Sequence, residues 1–316
     1  MLKYILKRLL QLLPTFFLVT ALVFFLSTAA PTSPADILIA SFEEDELTPE
    51  IEQQIRSYYG EDKPVYIRYF IWLRNMLNGD FGISSQTNLP VWSMISVRIG
   101  PTLMLTLTSL AITLLIAIPL GVMAALKPYS IWDNISSAIA FLGSALPSFF
   151  VALVLIYVFA LKLHLLPTMG MYDKQGGGLA LHLILPVTIT VSHMIGNYIK
   201  QTRGSVLDVL NEEYVKTARA KGISETRVIL KHVLRNSLIP IVSCVGLSVP
   251  FMVGGATVTE KIFGWPGMGT LMVQAINQRD YNLIMGIAVV ISLAVLIVNL
   301  IIDLLYAYLD PKICFD

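Results

Sequence analysis

Six long apolar segments constrain the fold of this chain more than any other feature of its sequence. A helix needs about 20 mostly apolar residues to cross a membrane. Six stretches reach that length: residues 9–29, 100–126, 135–161, 180–199, 236–258 and 283–305. Of 316 residues, 55% are hydrophobic and 14% are charged, against roughly 25% charged in a soluble domain. The sequence predicts an all-α integral membrane protein with six transmembrane helices.

The first segment starts with basic residues, as a secretory signal peptide does. Its apolar part is longer than the roughly 7 to 15 residues of a signal peptide's hydrophobic region, and we interpret it as a retained span. Ala29, Ala30 and Ala35 leave a cleavage site as the alternative.

The distribution of charge predicts the orientation of the spans, because Lys and Arg near span ends stay in the cytoplasm. Basic residues occur at the N-terminus and in the loop between spans four and five: Lys3, Lys7, Arg8, Lys200, Arg203, Lys216, Arg219, Lys221, Arg227, Lys231 and Arg235. Both termini and this loop are predicted to be cytoplasmic. The net charge of +1 gives no electrostatic case for a nucleic-acid partner.

The predicted organisation is a first span at 1–30, an extracytoplasmic insert at 31–98 and a membrane core at 99–310 with a cytoplasmic loop at 200–235. The insert is acidic. Thr48 followed by Pro49 is typical of a helix start. A second helix is expected after Pro64, ending near Gly79.

That second helix carries an apolar stripe of Tyr66, Tyr69, Phe70, Leu73, Met76 and Leu77. The stripe predicts either a helix lying in the membrane interface or a helix packed against the chain's own spans. The sequence does not separate these two alternatives.

The cytoplasmic loop predicts two short helices joined by a sharp corner. Asn211 is suited to cap the first, with Glu212 and Glu213 in its first turn and Lys216, Arg219 and Lys221 toward its end. Gly222 is suited to the left-handed residue that ends it, and Ser224 with Glu225 starts the second.

Small residues on the first helix indicate a close-packed partner. Ala218 and Ala220 would let another protein approach, and Tyr214 lies four residues before Ala218 on the same face. The alternative is a solvated basic loop that contacts only lipid headgroups.

The segment "YVKTARAKGISETRVILKHVLRNSLIP" (214–240) resembles the coupling loop, or EAA loop, of binding-protein-dependent ABC importer permeases, in their oligopeptide, dipeptide and nickel branch. This chain departs from the general pattern of that loop in two places. Lys216 stands where the pattern has Glu, and Leu234 and Arg235 stand where it has Leu-Pro. The stretches "KPVYIRYFIWLRNMLNGDFGIS" and "TVTEKIFGWPGMGTLMVQAINQRDYNLIMG" are similar to further motifs of the branch. The resemblance covers residues 3 to about 310 in the same order.

The resemblance implies a permease that works by alternating access in a bacterial or archaeal cell membrane. The implied partners are a homologous second permease, two P-loop ATPases, an extracytoplasmic substrate-binding protein, the peptide cargo and membrane lipid. The residues that the resemblance assigns to ATPase coupling are Glu213, Tyr214, Lys216, Thr217, Ala218, Arg219, Ala220, Lys221 and Gly222.

The sequence predicts no catalytic chemistry and no cofactor in this chain. It has no G-x-x-x-x-G-K-[ST], and "GWPGMGT" (264–270) is interpreted as an external turn. Cys244 and Cys314 are interpreted as ordinary packing residues without a disulfide or metal-binding role. His193, inside the fourth span, predicts either a hydrogen-bonded packing residue or a substrate contact.

Asp303 is the one carboxylate within the six predicted spans. Ion-driven carriers usually need such groups near the midplane, so we expect an external energy source. The alternatives are a nickel or chelated-metal importer of the same branch, a secondary carrier or channel, and a membrane-embedded hydrolase.

Overall fold

The computed structural model describes residues 2–29, 34–39, 47–58, 60–173 and 178–309. In those ranges the chain is helical, and an isolated bridge between Ile83 and Pro90 is the one extended pairing. The helices are α1 (Leu2–Thr28), α2 (Pro34–Ile39), α3 (Pro49–Tyr58), α4 (Val65–Leu77), α5 (Val91–Leu126), α6 (Ile131–Ala145), α7 (Ser148–Leu155), α8 (Leu179–Leu210), α9 (Glu213–Ala220), α10 (Glu225–Arg227), α11 (Leu234–Gly255), α12 (Thr257–Ile262), α13 (Met268–Asn277) and α14 (Tyr281–Leu309). Two π-helical segments, Ile156–Lys162 and Val228–Val233, continue α7 and α10.

Among the described residues, five helices are long and apolar enough to cross a membrane: Leu10–Thr28, Val91–Leu126, Leu179–Leu210, Glu225–Gly246 and Tyr281–Leu305. A sixth crossing results if the bent pair Ile131–Gly143 and Ser148–Lys162 counts as one span. The predicted all-α membrane fold is confirmed.

The third predicted span, 135–161, is broken near its middle in the structure. Its two halves meet at an angle of 99°. Leu146 is extended, with φ −94° and ψ 132°, and Pro147 follows it. A residue before proline is disfavoured in the helical region because the proline ring clashes with its backbone, so the helix stops there and restarts at Ser148.

Two further spans are longer than their apolar segments. α8 continues to Leu210, beyond the predicted end at 199, and α5 starts at Val91, before the predicted start at 100. Polar residues outside the apolar segments therefore still belong to continuous helices, and the loop predicted to be cytoplasmic is correspondingly shorter.

The chain divides into two compact units. Among the described residues, the first contains Pro101–Pro266 and residues 298–309, and the second contains Leu2–Gly100 and Gly267–Ile297.

In the first unit α8 packs against α6, α7 and α11. The contact with α6 brings backbone against backbone: a Cβ added to Gly196 would lie 2.7 Å from the carbonyl oxygen of Ala140, and one added to Gly143 would overlap the carbonyl oxygen of Ser192. Small residues allow helices in membranes to approach this closely.

Buried polar contacts fix the segment after α11 onto the start of α5 in the same unit. Thr102 donates to a carboxylate oxygen of the fully buried Glu260 at 2.8 Å, and the indole N–H of Trp265 donates to the carbonyl oxygen of Pro101 at 2.9 Å. The predicted turn in "GWPGMGT" is confirmed, since α12 ends at Ile262 and α13 begins at Met268.

In the second unit α4 packs on α1. Of the predicted apolar stripe, Tyr69, Leu73 and Met76 are buried with Phe24, whereas Tyr66, Phe70 and Leu77 are exposed. The stripe thus divides between packing on the chain's own span and facing outward.

The predicted start of α3 is confirmed by a 3.3 Å hydrogen bond from the Ile51 N–H to Thr48 Oγ1.

Asp280 fixes the start of α14 in the second unit. This fully buried carboxylate accepts from the hydroxyl of Ser84 and, at 3.2 Å, from the N–H of Leu283 in the first turn of α14. The loop before α5 is therefore tied to the start of the last span.

Candidate functional site

The candidate site is the corner formed by α9 and α10 at the end of α8. α8 ends at Leu210 with Asn211 as its C-cap, and the Asn211 amide donates to the carbonyl oxygen of Leu207 at 3.0 Å. The prediction that Asn211 caps α9 is therefore wrong, because α8 runs long enough to use that residue. Glu212 occupies the N-cap position of α9 instead.

The underside of α9 is part of the core. Val215 is fully buried and Ala218 is 6% exposed, and both pack with Ala125 of α5, Val206 of α8 and Val228. The prediction that Ala218 faces a partner is wrong for this conformation, since its methyl group points into the chain. A displacement of α9 must displace the ends of α5 and α8 as well, because interiors are close-packed.

The opposite face of α9 is exposed. It carries most of the residues that the resemblance assigned to coupling: Glu213, Tyr214, Lys216, Thr217, Arg219, Ala220 and Lys221, followed by Gly222. The structure thus brings together every predicted coupling residue except Ala218 on one outward surface, which we call the α9 outer face.

Gly222 ends α9 as the sequence predicted. Its φ of +75° is in the left-handed region, which glycine adopts without the steric cost of a Cβ. Its N–H donates to the carbonyl oxygen of Arg219 at 2.9 Å, and the Ile223 N–H reaches that of Ala218 at 3.4 Å. This is the Schellman arrangement, which satisfies the last carbonyls of a helix.

Two side-chain contacts hold α9 in place from its exposed side. Arg219 donates to both carboxylate oxygens of Glu225, at 3.1 and 2.7 Å, and so joins α9 to α10 across the corner. The side-chain amide of Asn236 at the start of α11 donates to Tyr214 Oη at 2.7 Å.

The second loop helix, α10, begins at Glu225 as predicted, although the structure from Val228 to Val233 is π-helical.

The charges on α9 are structural ion pairs. Lys216 donates to Glu213 at 2.8 Å, and this hydrogen bond lowers the pKa of the Glu213 carboxyl. The hydrogen bonds to Glu225 raise the pKa of Arg219. Both pKa shifts favour the charged forms of Glu213 and Arg219, so these two groups keep their charges on the α9 outer face.

A stronger ion pair lies on α8, before the corner. Arg203 donates through Nε and Nη2 to the two carboxylate oxygens of Asp133, at 2.8 and 3.1 Å. Asp133 is 7% exposed and also accepts from the Tyr129 N–H at 3.0 Å. The sequence predicts Arg203 only as a loop cation and gives no sign of its partner, because the two residues are 70 positions apart.

Sequence reasoning also missed Asn236 as a contact of Tyr214. No local pattern relates these two residues, which are 22 positions apart in the sequence. Among the residues that the structure describes, no group of three or more His, Cys, Asp and Glu side chains could hold a metal ion.

The chain matches known transport proteins along nearly its whole length. The family model described as the binding-protein-dependent transport system inner membrane component matches residues 117–314, and the N-terminal model of the same kind of membrane component matches residues 1–106. This chain belongs to the binding-protein-dependent transport permeases. The resemblance of the chain to these permeases is thereby confirmed at the level of the family.

Individual relatives of this permease support the same assignment. The oligopeptide transport system permease protein AppB of Bacillus subtilis (strain 168) is 38% identical over 320 residues, covering 98% of each chain. The glutathione transport system permease protein GsiC of Escherichia coli (strain K12) is 40% identical over 313 residues, covering 99% of each. With its apolar helices, the permease is a multi-pass membrane protein.

Proposed function

We propose that this permease is the membrane-crossing subunit of an ATP-driven importer for peptides. Oligopeptides and glutathione, the cargoes named for two relatives over nearly full length, are both peptides. Neither name mentions a metal, so the nickel alternative has no support from these relatives. A secondary carrier or channel is likewise not favoured.

The observation that carries the proposal is the construction of α9. A short helix with an exposed outer face has a buried underside that contacts α5 and α8, and Arg219 and Tyr214 tie it to α10 and α11. A force applied to the outer face is therefore distributed to three membrane helices. That is the property required of an element that couples a partner's motion to alternating access.

In this proposal the hydrolytic chemistry resides in the partners. One of two P-loop ATPases binds the α9 outer face and the other binds a homologous second permease, which completes the pathway. An extracytoplasmic binding protein delivers the cargo. The permease itself is non-catalytic and uses no cofactor. Both termini and α9 lie on the cytoplasmic side of a bacterial or archaeal cell membrane, following the distribution of basic residues.

ATP binding acts in this cycle by favouring one of two packings of the spans. A ligand shifts such an equilibrium only as far as its affinities for the two states differ. Closure of the ATPases supplies that difference, and α9 carries it to the ends of α5 and α8 because Val215 and Ala218 are buried there.

The test is capture and reconstitution of the native complex. The permease carrying a C-terminal tag is purified from its own membranes in mild detergent, its partners are identified by mass spectrometry, and the complex is placed in proteoliposomes. We expect two P-loop ATPases, a second permease and a binding protein, together with ATP-dependent uptake of a labelled oligopeptide. Recovery of the permease alone after crosslinking, or uptake driven by an ion gradient without ATP, would overturn the proposal.

A further inference from the structure

The exposed side chains of α8 change from mainly apolar in the first half of the helix to polar in the second half. Its first half exposes Leu181 and Ile184, at 50% and 43%, together with Thr188, whose hydroxyl donates to its own helix at Ile184 O. Its second half instead exposes His193, Asn197, Lys200 and Gln201. These four polar side chains, spaced at helical intervals, are here called the α8 polar face.

The rotation of α8 that exposes this face is fixed by packing on its other side. Ile195, Tyr198 and Ile199 are buried in the core, and Tyr198 donates to Ser248 at 3.0 Å. Gly196 contacts the backbone of α6. The helix cannot turn its polar face inward without breaking these contacts, so the face is a fixed feature of the chain.

Within the described part of the chain, none of the four side chains of the α8 polar face has a hydrogen-bond partner. α8 is also long and apolar enough to cross a membrane, and His193 and Asn197 lie inside its apolar segment 180–199. Polar and ionisable groups at membrane depth are expensive to expose to lipid and face protein or a water-filled cavity. The α8 polar face is therefore covered by water or by another polar surface.

We propose that the α8 polar face lines the aqueous route of the cargo, and that His193 and Asn197 contact the cargo as it passes. This inference rests on the proposed function and deepens it. Imidazole and amide groups both donate and accept hydrogen bonds, which matches the main-chain amides of a peptide. Lys200 adds a cation that complements a terminal carboxylate. Of the two alternatives predicted for His193, the packing role is not met within this chain, where the side chain is exposed.

The first test is cysteine accessibility in the complete complex in nanodiscs. Cys244 and Cys314 are replaced by serine, and single cysteines are placed at His193, Asn197 and Gln201, with Ile184→Cys as the control on the other exposed face. A hydrophilic, permanently charged thiol reagent is added with and without ATP plus vanadate. We expect reaction at the polar face at least about tenfold faster than at position 184, since a thiol surrounded by lipid does not ionise to the reactive thiolate.

The second test measures uptake. His193→Leu and Asn197→Leu should each lower ATP-driven uptake of a labelled oligopeptide by up to about tenfold, the effect of losing one hydrogen bond to the cargo. Thr188→Val is the matched control and should transport normally. Normal assembly with the ATPases shows that each variant has folded.

The outcomes separate this inference from the proposed function. Uptake of peptide by the unmodified complex without labelling of the polar face, or labelling unaffected by ATP and vanadate, would overturn the inference alone. Protection of the polar face together with crosslinks to the second permease would also overturn it, since that subunit would then be the occupant. If labelling of the polar face changes with ATP but the complex does not transport peptide, the aqueous route is supported and the proposed peptide cargo is contradicted.

Discussion

Arg203 of α8 donates two hydrogen bonds, of 2.8 and 3.1 Å, to the carboxylate of Asp133 in the first turn of α6. The carboxylate also accepts from the Tyr129 N–H, so it is held by three donors. α6 and α8 are in backbone contact at Gly143 and Gly196 as well. The two helices thus form one rigid element that leads directly to α9.

We predict that breaking this pair destabilises the permease. Asp133→Asn and Arg203→Gln should each cost roughly 2 kcal/mol of stability, since hydrogen bonds to charged groups contribute more than neutral ones and Asp133 is nearly buried. The measurement is thermal unfolding of the purified complex. The double variant Asp133→Arg with Arg203→Asp should recover part of the loss.

Arg56→Gln is the control for that experiment. Arg56 also binds several carboxylates, including Glu52 at 3.0 Å and Glu61 at 2.8 Å, but its side chain is 40% exposed. Exposed pairs of this kind contribute little to stability, because water and salt screen them. A control that destabilises as strongly as Asp133→Asn would contradict the special role of the α6–α8 pair.

The two alanines of α9 should respond differently to the same substitution. Ala218→Arg places a charge in the core beneath α9 and should cost roughly 3 kcal/mol, because a buried charge without a partner is strongly destabilising. Ala220→Arg adds an exposed side chain and should unfold like the unmodified protein while its uptake of peptide falls. Thermal unfolding and uptake of both variants test the assignment, and equal stability of the two would show that Ala218 is not buried.

Gly222 should tolerate asparagine better than valine. A β-branched residue at φ +75° strains the backbone by roughly 1–2 kcal/mol, whereas asparagine adopts the left-handed region more readily. An added Cβ meets no other part of the chain within 4 Å, so the cost arises within the local backbone of residue 222. Hydrogen exchange over residues 213–223 should speed up in Gly222→Val and little in Gly222→Asn, and identical exchange would refute this explanation.

Two tyrosines of α4 give a matched pair for the packing of the insert on α1. The Tyr69 hydroxyl is buried and lies 3.0 Å from Thr20 Oγ1, so Tyr69→Phe should cost about 1 kcal/mol. Tyr66, at 62% exposed, should accept phenylalanine without effect. Thermal unfolding measures both, and a larger loss for Tyr66→Phe would be inconsistent with the described packing.

Much of this architecture follows from the sequence because it depends on local chemistry. Apolar length predicts the crossings, and Thr48, Gly222 and Glu225 mark helix ends correctly. Hydropathy fails where polar residues continue a helix, as at the end of α8, where Asn211 was given to the wrong helix. It also fails at Leu146, where the proline that follows breaks an otherwise apolar segment.

The sequence predicted the residues of the α9 site but not which of them are buried. The resemblance selected the residues of α9, but helical spacing alone placed Ala218 on the docking surface. Its burial depends on Ala125, Val206 and Val228, which come from separate elements. The same limitation applies to Asp133 and Arg203: their pairing is set by the packing of α6 on α8, which no local pattern in one sequence records.

The central claim is that the α9 outer face binds an ATPase, and site-specific photo-crosslinking tests it most directly. A photoreactive amino acid replaces Ala220, and in a control replaces Tyr66, which is exposed on the insert. We predict that irradiation of native membranes links position 220 to a P-loop ATPase and leaves position 66 without such a product. Linkage of position 220 only to lipid, in membranes where the ATPases are present, would contradict the account.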